Sequence, residues 1–240
     1  MKGQIMNHTL TAPVAGVAAE RTTTKLRPGL LGGLGGLVFV GAVIAQNAIR
    51  SGFPMNDATT QDVMQYYSDH RSATIALSVL FPIGLVGLVT FLGTVVSRVA
   101  HGAGRAAAFA GAFGAAAIIA TFTLVTSADV AIAAYIHRGS ADASVVEGLW
   151  VLHNSVFSFL EAAIGIALAG LSIAAAKSGL LSKRWAVAGP VGAALMIGSA
   201  MTTPAVVDGS PTFFVGVAGF VVWLAFMVRT SVALLRSREV

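Results

Sequence analysis

Residues Val146 to Gly170 read V-E-G-L-W-V-L-H-N-S-V-F-S-F-L-E-A-A-I-G-I-A-L-A-G, and the apolar run continues to Ala176. As a helix this stretch is long enough to cross a bilayer, yet His153, Asn154, Ser158 and Glu161 are set into it. His153, Phe157 and Glu161 are spaced four apart, which puts them on one helical face, with Asn154 and Ser158 on the stripe beside it. Glu161 falls near the middle of the span. An ionised carboxylate at that depth costs roughly 2.5–3.5 kcal/mol on insertion scales, so such a residue is expected to face a bundle interior and to mark a functional site.

The rest of the chain supports a membrane setting. Of its 240 residues 56% are hydrophobic and only 10% charged, where a soluble domain carries about 25% charged residues. The net charge of +5 does not mark a nucleic-acid partner, because the basic residues sit in short loops between apolar runs. With no cysteine, disulfides, thiolate metal sites and cysteine nucleophiles are excluded.

Read in order, residues 1–29 form a polar, mildly basic tail without an apolar face, expected to be flexible and cytoplasmic. Residues 30–236 form one transmembrane domain. Its spans are expected at about 30–49, 72–96, 106–136, 146–176, 185–202 and 212–235, with Pro82 bending the second. Between the first two, Asp57 or Thr59 caps a short helix whose apolar side is Val63, Met64 and Tyr67. Its tyrosines suit the interfacial belt, so it is expected to lie on the membrane surface. The fold class is therefore all-α, a polytopic bundle of six transmembrane helices plus a short extracytoplasmic interfacial helix.

Charge sets the orientation. The tail, the Arg98–Arg105 loop, the Lys177–Arg184 loop and the C-terminal end hold all the Lys and Arg except Arg50, Arg71 and Arg138. Those three share the alternate loops with Asp57, Asp62, Asp69, Asp142, Glu147 and Asp208. The alternation predicts six spans with both termini cytoplasmic. On this topology Gln46, Asn47, Thr126, Asp129, His153 and Asn154 gather in the outer half, and Glu161 forms the floor of one outward-facing cavity.

Small residues have a packing role. Gly32/Gly36, Gly29/Gly33 and Gly165/Ala169 are small-xxx-small pairs that allow close helix approach and also suit self-association into a homo-oligomer. A metal centre would need ligands beside His70, His137 or His153, and no pair has i, i+3 or i, i+4 spacing, so neither metal nor other cofactor is expected. There is no phosphate loop, H-E-x-x-H run or nucleophile elbow.

The segment Gly179-Leu180-Leu181-Ser182-Lys183-Arg184-Trp185, followed by a Gly/Pro-interrupted span, resembles bacterial six-span membrane proteins grouped as a domain of unknown function. Those carry a Gly-Leu-Leu-Pro-Arg-Trp type of turn; here Ser182-Lys183 stands in place of the proline. The resemblance covers the last 100 or so residues and implies the six-span architecture, with no activity. A second likeness is by type alone. Small integral-membrane terpene cyclases place acidic residues inside a helical bundle and shield a carbocation with aromatics.

Two functional readings follow. In the first, the protein is an enzyme acting on an apolar, isoprenoid-like substrate by cyclisation or isomerisation. Glu161 is the general acid, kept protonated by its apolar surroundings, and Asp129 or His153 reloads or orients it. Asn154, Phe157, Trp150, Phe122 and Asn47 bind the substrate, while Phe159, Phe81 and Trp223 extend the aromatic wall. In the second, the same cavity binds or transports a small lipophilic ligand without turnover, or the bundle is a subunit of a membrane complex. In both, the partners are a lipophilic small molecule and membrane lipids.

Overall fold

The structure, a computed structural model, describes residues 28–139 and 141–237. The expected tail thus lies outside the described residues up to position 27, as does Arg238 at the other end. Helix α1 spans Pro28–Arg50, α2 Thr60–Asp69, α3 Arg71–Val99, α4 Arg105–His137, α5 Ala143–Lys177, α6 Trp185–Ala200, α7 Thr203–Val207 and α8 Phe213–Arg236. No strand occurs among the described residues. Helices α1, α3, α4, α5 and α8 are long and apolar enough to cross a membrane. The sixth apolar helix, α6, has only 16 residues, about 24 Å at 1.5 Å per residue. It stops at Ala200, two residues sooner than the sequence suggests. The chain there turns into α7, which carries Pro204 in its first turn.

The five long apolar helices and α6 close a ring. α1 packs between α3 and α8, α3 continues to α4, α4 to α5, α5 to α6, and α6 back to α8. Glycines set the closest approaches: a Cβ on Gly170 of α5 would strike the backbone of Gly111 in α4. The small residues of α1 are used inside the chain, Gly32 against Thr94 of α3 and Gly36 against Ser231 of α8. Gly165 likewise meets Ile197 of α6. Large apolar side chains such as Val86, Phe113, Leu152 and Phe159 point outward and are exposed, as a lipid-facing surface requires.

α5 is the most enclosed helix. Its buried residues include Trp150, His153, Asn154, Ser158, Glu161, Ile164, Gly165 and Leu168, the helical stripe expected from the polar spacing. At 33 and 35 residues, α4 and α5 exceed the length needed for a hydrocarbon core of about 30 Å.

The overshoot gives α2 something to pack on. Thr59 is its cap, accepting from the Asp62 N–H at 3.2 Å. Val63 and Tyr67 are fully buried in a cluster with Ile132, Ala133, Val146 and Trp150. Here the sequence expectation needs correcting: α2 is docked on the ends of α4 and α5, and Tyr67 points inward and does not serve an interfacial belt. Tyr66 stays partly exposed and stacks on His70, ring centroids 4.4 Å apart.

Candidate functional site

Arg50, the last residue of α1, reaches into the bundle at the α2 end. Its Nη2 donates to Asp129 Oδ2 at 2.7 Å, and Asp129 has no exposed surface. Tyr67 donates its hydroxyl to the other carboxylate oxygen, Oδ1, at 2.7 Å. Burial, and after it the negative charge of Asp129, pushes the Tyr67 phenol far above its ordinary range, so it remains a donor. His153 Nε2 lies 3.1 Å from Arg50 Nη1 and 3.2 Å from Asp129 Oδ1.

The contact with Asp129 Oδ1 would need a proton on Nε2, whereas a guanidinium can only donate, so in the contact with Arg50 Nε2 accepts and the ring proton sits on Nδ1. Nδ1 then donates to Asn154 Oδ1 at 3.0 Å, Asn154 Nδ2 to the Asn56 carbonyl at 3.3 Å, and Asn56 Nδ2 to the Val206 carbonyl at 3.2 Å. The chain of bonds ties α1, α4, α5 and the loop after α1 to α7.

Aromatic rings complete the cluster. Trp150 stacks on His153 with centroids 5.0 Å apart and planes within 3°. The Arg50 guanidinium lies 5.4 Å from the ring centroid of Phe53 and 5.8 Å from those of Phe122 and Phe157, within cation–π range.

Beneath Arg50 the ring of helices leaves a partly open cavity of about 140 Å³. Arg50, Gln46, Asn47, Phe122, Phe157 and Glu161 are among its lining residues, with Phe39 and Trp223 on its apolar wall. Glu161 Oε2 is buried and makes no hydrogen bond. The Ser199 hydroxyl of α6 faces this carboxyl and also donates to the Thr212 carbonyl at 3.4 Å. Gly216 of α8 gives the carboxyl its room, since a Cβ there would collide with both oxygens.

The residues singled out in the sequence thus divide into two groups. Asp129, His153, Asn154 and Trp150 belong to the polar cluster and do not line the cavity. Glu161, Phe157, Phe122 and Asn47 do line it, although Asn47 also donates back to the Val43 carbonyl of its own helix at 2.9 Å. Phe159, counted among the shielding aromatics, points away from the interior and is 54% exposed. Phe81 packs on Phe122 at 5.6 Å.

Two site residues escaped the sequence reading. Arg50 was counted as a loop charge and Tyr67 as an interfacial ring. The usable signal for Arg50 was its position: a lone cation ending an apolar span at the depth assigned to Asp129. Compared with protein-family models, curated proteins and solved structures, the chain shows no match. The likeness to six-span proteins and the analogy with membrane cyclases therefore rest on the residues alone.

Proposed function

We propose that the protein holds a small lipophilic molecule inside its ring of helices, with Glu161 as a polar contact. The observation that carries this reading is a cavity walled by aromatic and aliphatic side chains into which a buried carboxyl oxygen without a hydrogen bond is set. Volume limits the occupant. An engineered apolar cavity of roughly 150 Å³ holds benzene, so about 140 Å³ takes a small ring or a short branched chain whole, and a long isoprenoid only with part of it outside. Orientation follows from loop charge, with both termini cytoplasmic and the Arg50–Asp129 cluster on the outer side; the resemblance to bacterial six-span proteins implies a bacterial cytoplasmic (inner) membrane. The test is ligand-induced stabilisation of the purified protein in nanodiscs by toluene, compared with Val217→Phe, which fills the cavity. Stabilisation of the wild type that disappears in the variant supports the reading. Equal behaviour of the two refutes it.

A second reading, acid catalysis on the bound molecule, draws on the same carboxyl and its aromatic surroundings. Glu161 would donate a proton to an alkene, and the faces of Phe122, Phe157 and Trp223 would stabilise the cation. The polar cluster favours binding over this chemistry. Asp129 is engaged by Arg50 and Tyr67, and His153 by Arg50 and Asn154, so their contacts do not form the relay expected to reload Glu161. Glu161→Gln separates the readings: it spares binding in both, but under acid catalysis it lowers turnover of an alkene substrate by roughly 100-fold or more.

A further inference from the structure

We infer that the cavity selects a neutral ligand bearing a hydroxyl group, a small aromatic or cyclic alcohol, over the bare hydrocarbon of the same size. The inference rests on the binding reading above and names the ligand class for that site. Three cavity-lining residues carry buried polar atoms without a hydrogen bond: Gln46 Oε1, Arg50 Nε and Glu161 Oε2. Gln46 is 3% exposed and Glu161 7%, so neither finds its missing partner in bulk water. Buried polar atoms of native proteins are nearly always paired. Three of the orphans sit on residues that line one cavity, which points to an occupant that bonds there.

Their chemistry defines that occupant. Gln46 Oε1 needs a donor and Arg50 Nε–H needs an acceptor. Glu161 Oε2 accepts when the carboxyl is ionised and can donate when it is protonated. A hydroxyl supplies one donor and two acceptor lone pairs, which matches the set when the Glu161 carboxyl is protonated: its O–H donates to Gln46 Oε1, and its lone pairs accept from Arg50 Nε–H and the carboxyl proton. Charge excludes the alternatives. The positive charge of Arg50 is already answered by Asp129 at 2.7 Å, and an anion has no proton to give Gln46 Oε1. A cation would share the cavity with the Arg50 guanidinium. The aromatic wall and the volume of about 140 Å³ fit the remaining ring.

Phenol and toluene, close in shape and differing in the hydroxyl, provide the test. Equilibrium dialysis of protein-loaded against empty nanodiscs removes partition into lipid from the comparison. The expected result is phenol binding at least about tenfold tighter than toluene, since a site with unpaired polar groups rejects the analogue that cannot pair them. In Gln46→Leu the phenol affinity should fall several-fold while toluene stays within about twofold. Saturable binding of both probes without preference would overturn the inference and leave the binding reading standing, with water satisfying the three atoms. Binding of neither would overturn both. Should Gln46→Leu fail to fold, the wild-type ratio alone still decides the inference.

Discussion

Replacing Arg50 by methionine keeps an unbranched apolar stem and removes the cation. Asp129, with no exposed surface, is then left with the Tyr67 hydroxyl as its established donor. Breaking a buried ion pair from one side costs about 3–5 kcal/mol. The lower end applies here, because the Arg50 side chain retains 10% exposure and His153 Nε2, at 3.2 Å from Oδ1, can take the proton needed to replace one lost bond. Asp129→Asn leaves the guanidinium without its anion but still over three aromatic rings, contacts worth about 0.5–1 kcal/mol each at exposed sites and more when dry. Each single variant should therefore lose about 3 kcal/mol. If the two acted independently, the double variant would lose about 6. With both charges gone no uncompensated ion remains, so a loss near 3 kcal/mol is expected, a coupling of about 3 kcal/mol. Reversible unfolding by sodium dodecyl sulfate in mixed micelles, followed by far-UV circular dichroism, measures all four corners of the cycle. Single losses below about 1 kcal/mol, the range of exposed pairs, would refute a dry ion pair. Additivity within about 0.5 kcal/mol would refute the direct contact.

Three other outcomes are expected. Tyr67→Phe removes a hydrogen bond to a charged group and should cost about 1.5–3 kcal/mol. Because burial raises the phenol above its ordinary value of 10.0, the wild type should lose stability as pH climbs past about 10 more steeply than Tyr67→Phe does, in the same unfolding assay. Gly170→Ala, whose Cβ meets the Gly111 backbone, should destabilise by about 1–3 kcal/mol or prevent folding, whereas Gly41→Ala, in open space, should change stability by less than about 1 kcal/mol. Reporter fusions after the Lys177–Arg184 loop should read cytoplasmic and fusions after Asp208 external; the reverse pattern would invert the proposed orientation.

The spans and the buried face of α5 were legible because each rests on a strong local signal. An apolar run of about 20 residues has few fates, and polar residues at helical spacing within such a run point inward. Thr59 as the cap of α2 was legible for the same local reason. What followed from packing was not. The docking of α2 depends on α4 and α5 extending past the bilayer, so Tyr67 looked interfacial until its neighbours were known. Arg50 was hidden by the charge argument itself, which treats every cation near a span end as a topological marker. The separation of Asp129 and His153 from the cavity was hidden too. Depth along a helix places residues in a layer, but only the ring of helices decides which of them share a space. Gly216 illustrates the limit: its value lies in the room left for a side chain some 55 positions earlier, a relation no spacing rule contains.

Arg50 is the residue through which the two halves of the site communicate. Its Nη atoms serve the polar cluster, while its Nε lacks a partner and the residue lines the cavity. An occupant that bonds to Nε would therefore add a contact to a side chain already fixed by Asp129 and His153, and little side-chain entropy would be lost in making it. The aromatic rings act at the same boundary. Phe122 and Phe157 lie within cation–π range of the guanidinium and also line the cavity, so they hold Arg50 in place whether or not the cavity is filled. The internal pairing of Arg50 with Asp129 then explains why a charged group fits beside an otherwise apolar space. With its charge answered on one side, the guanidinium would face the proposed ligand as a hydrogen-bond donor, and a neutral, hydroxyl-bearing molecule would use it without disturbing the pair.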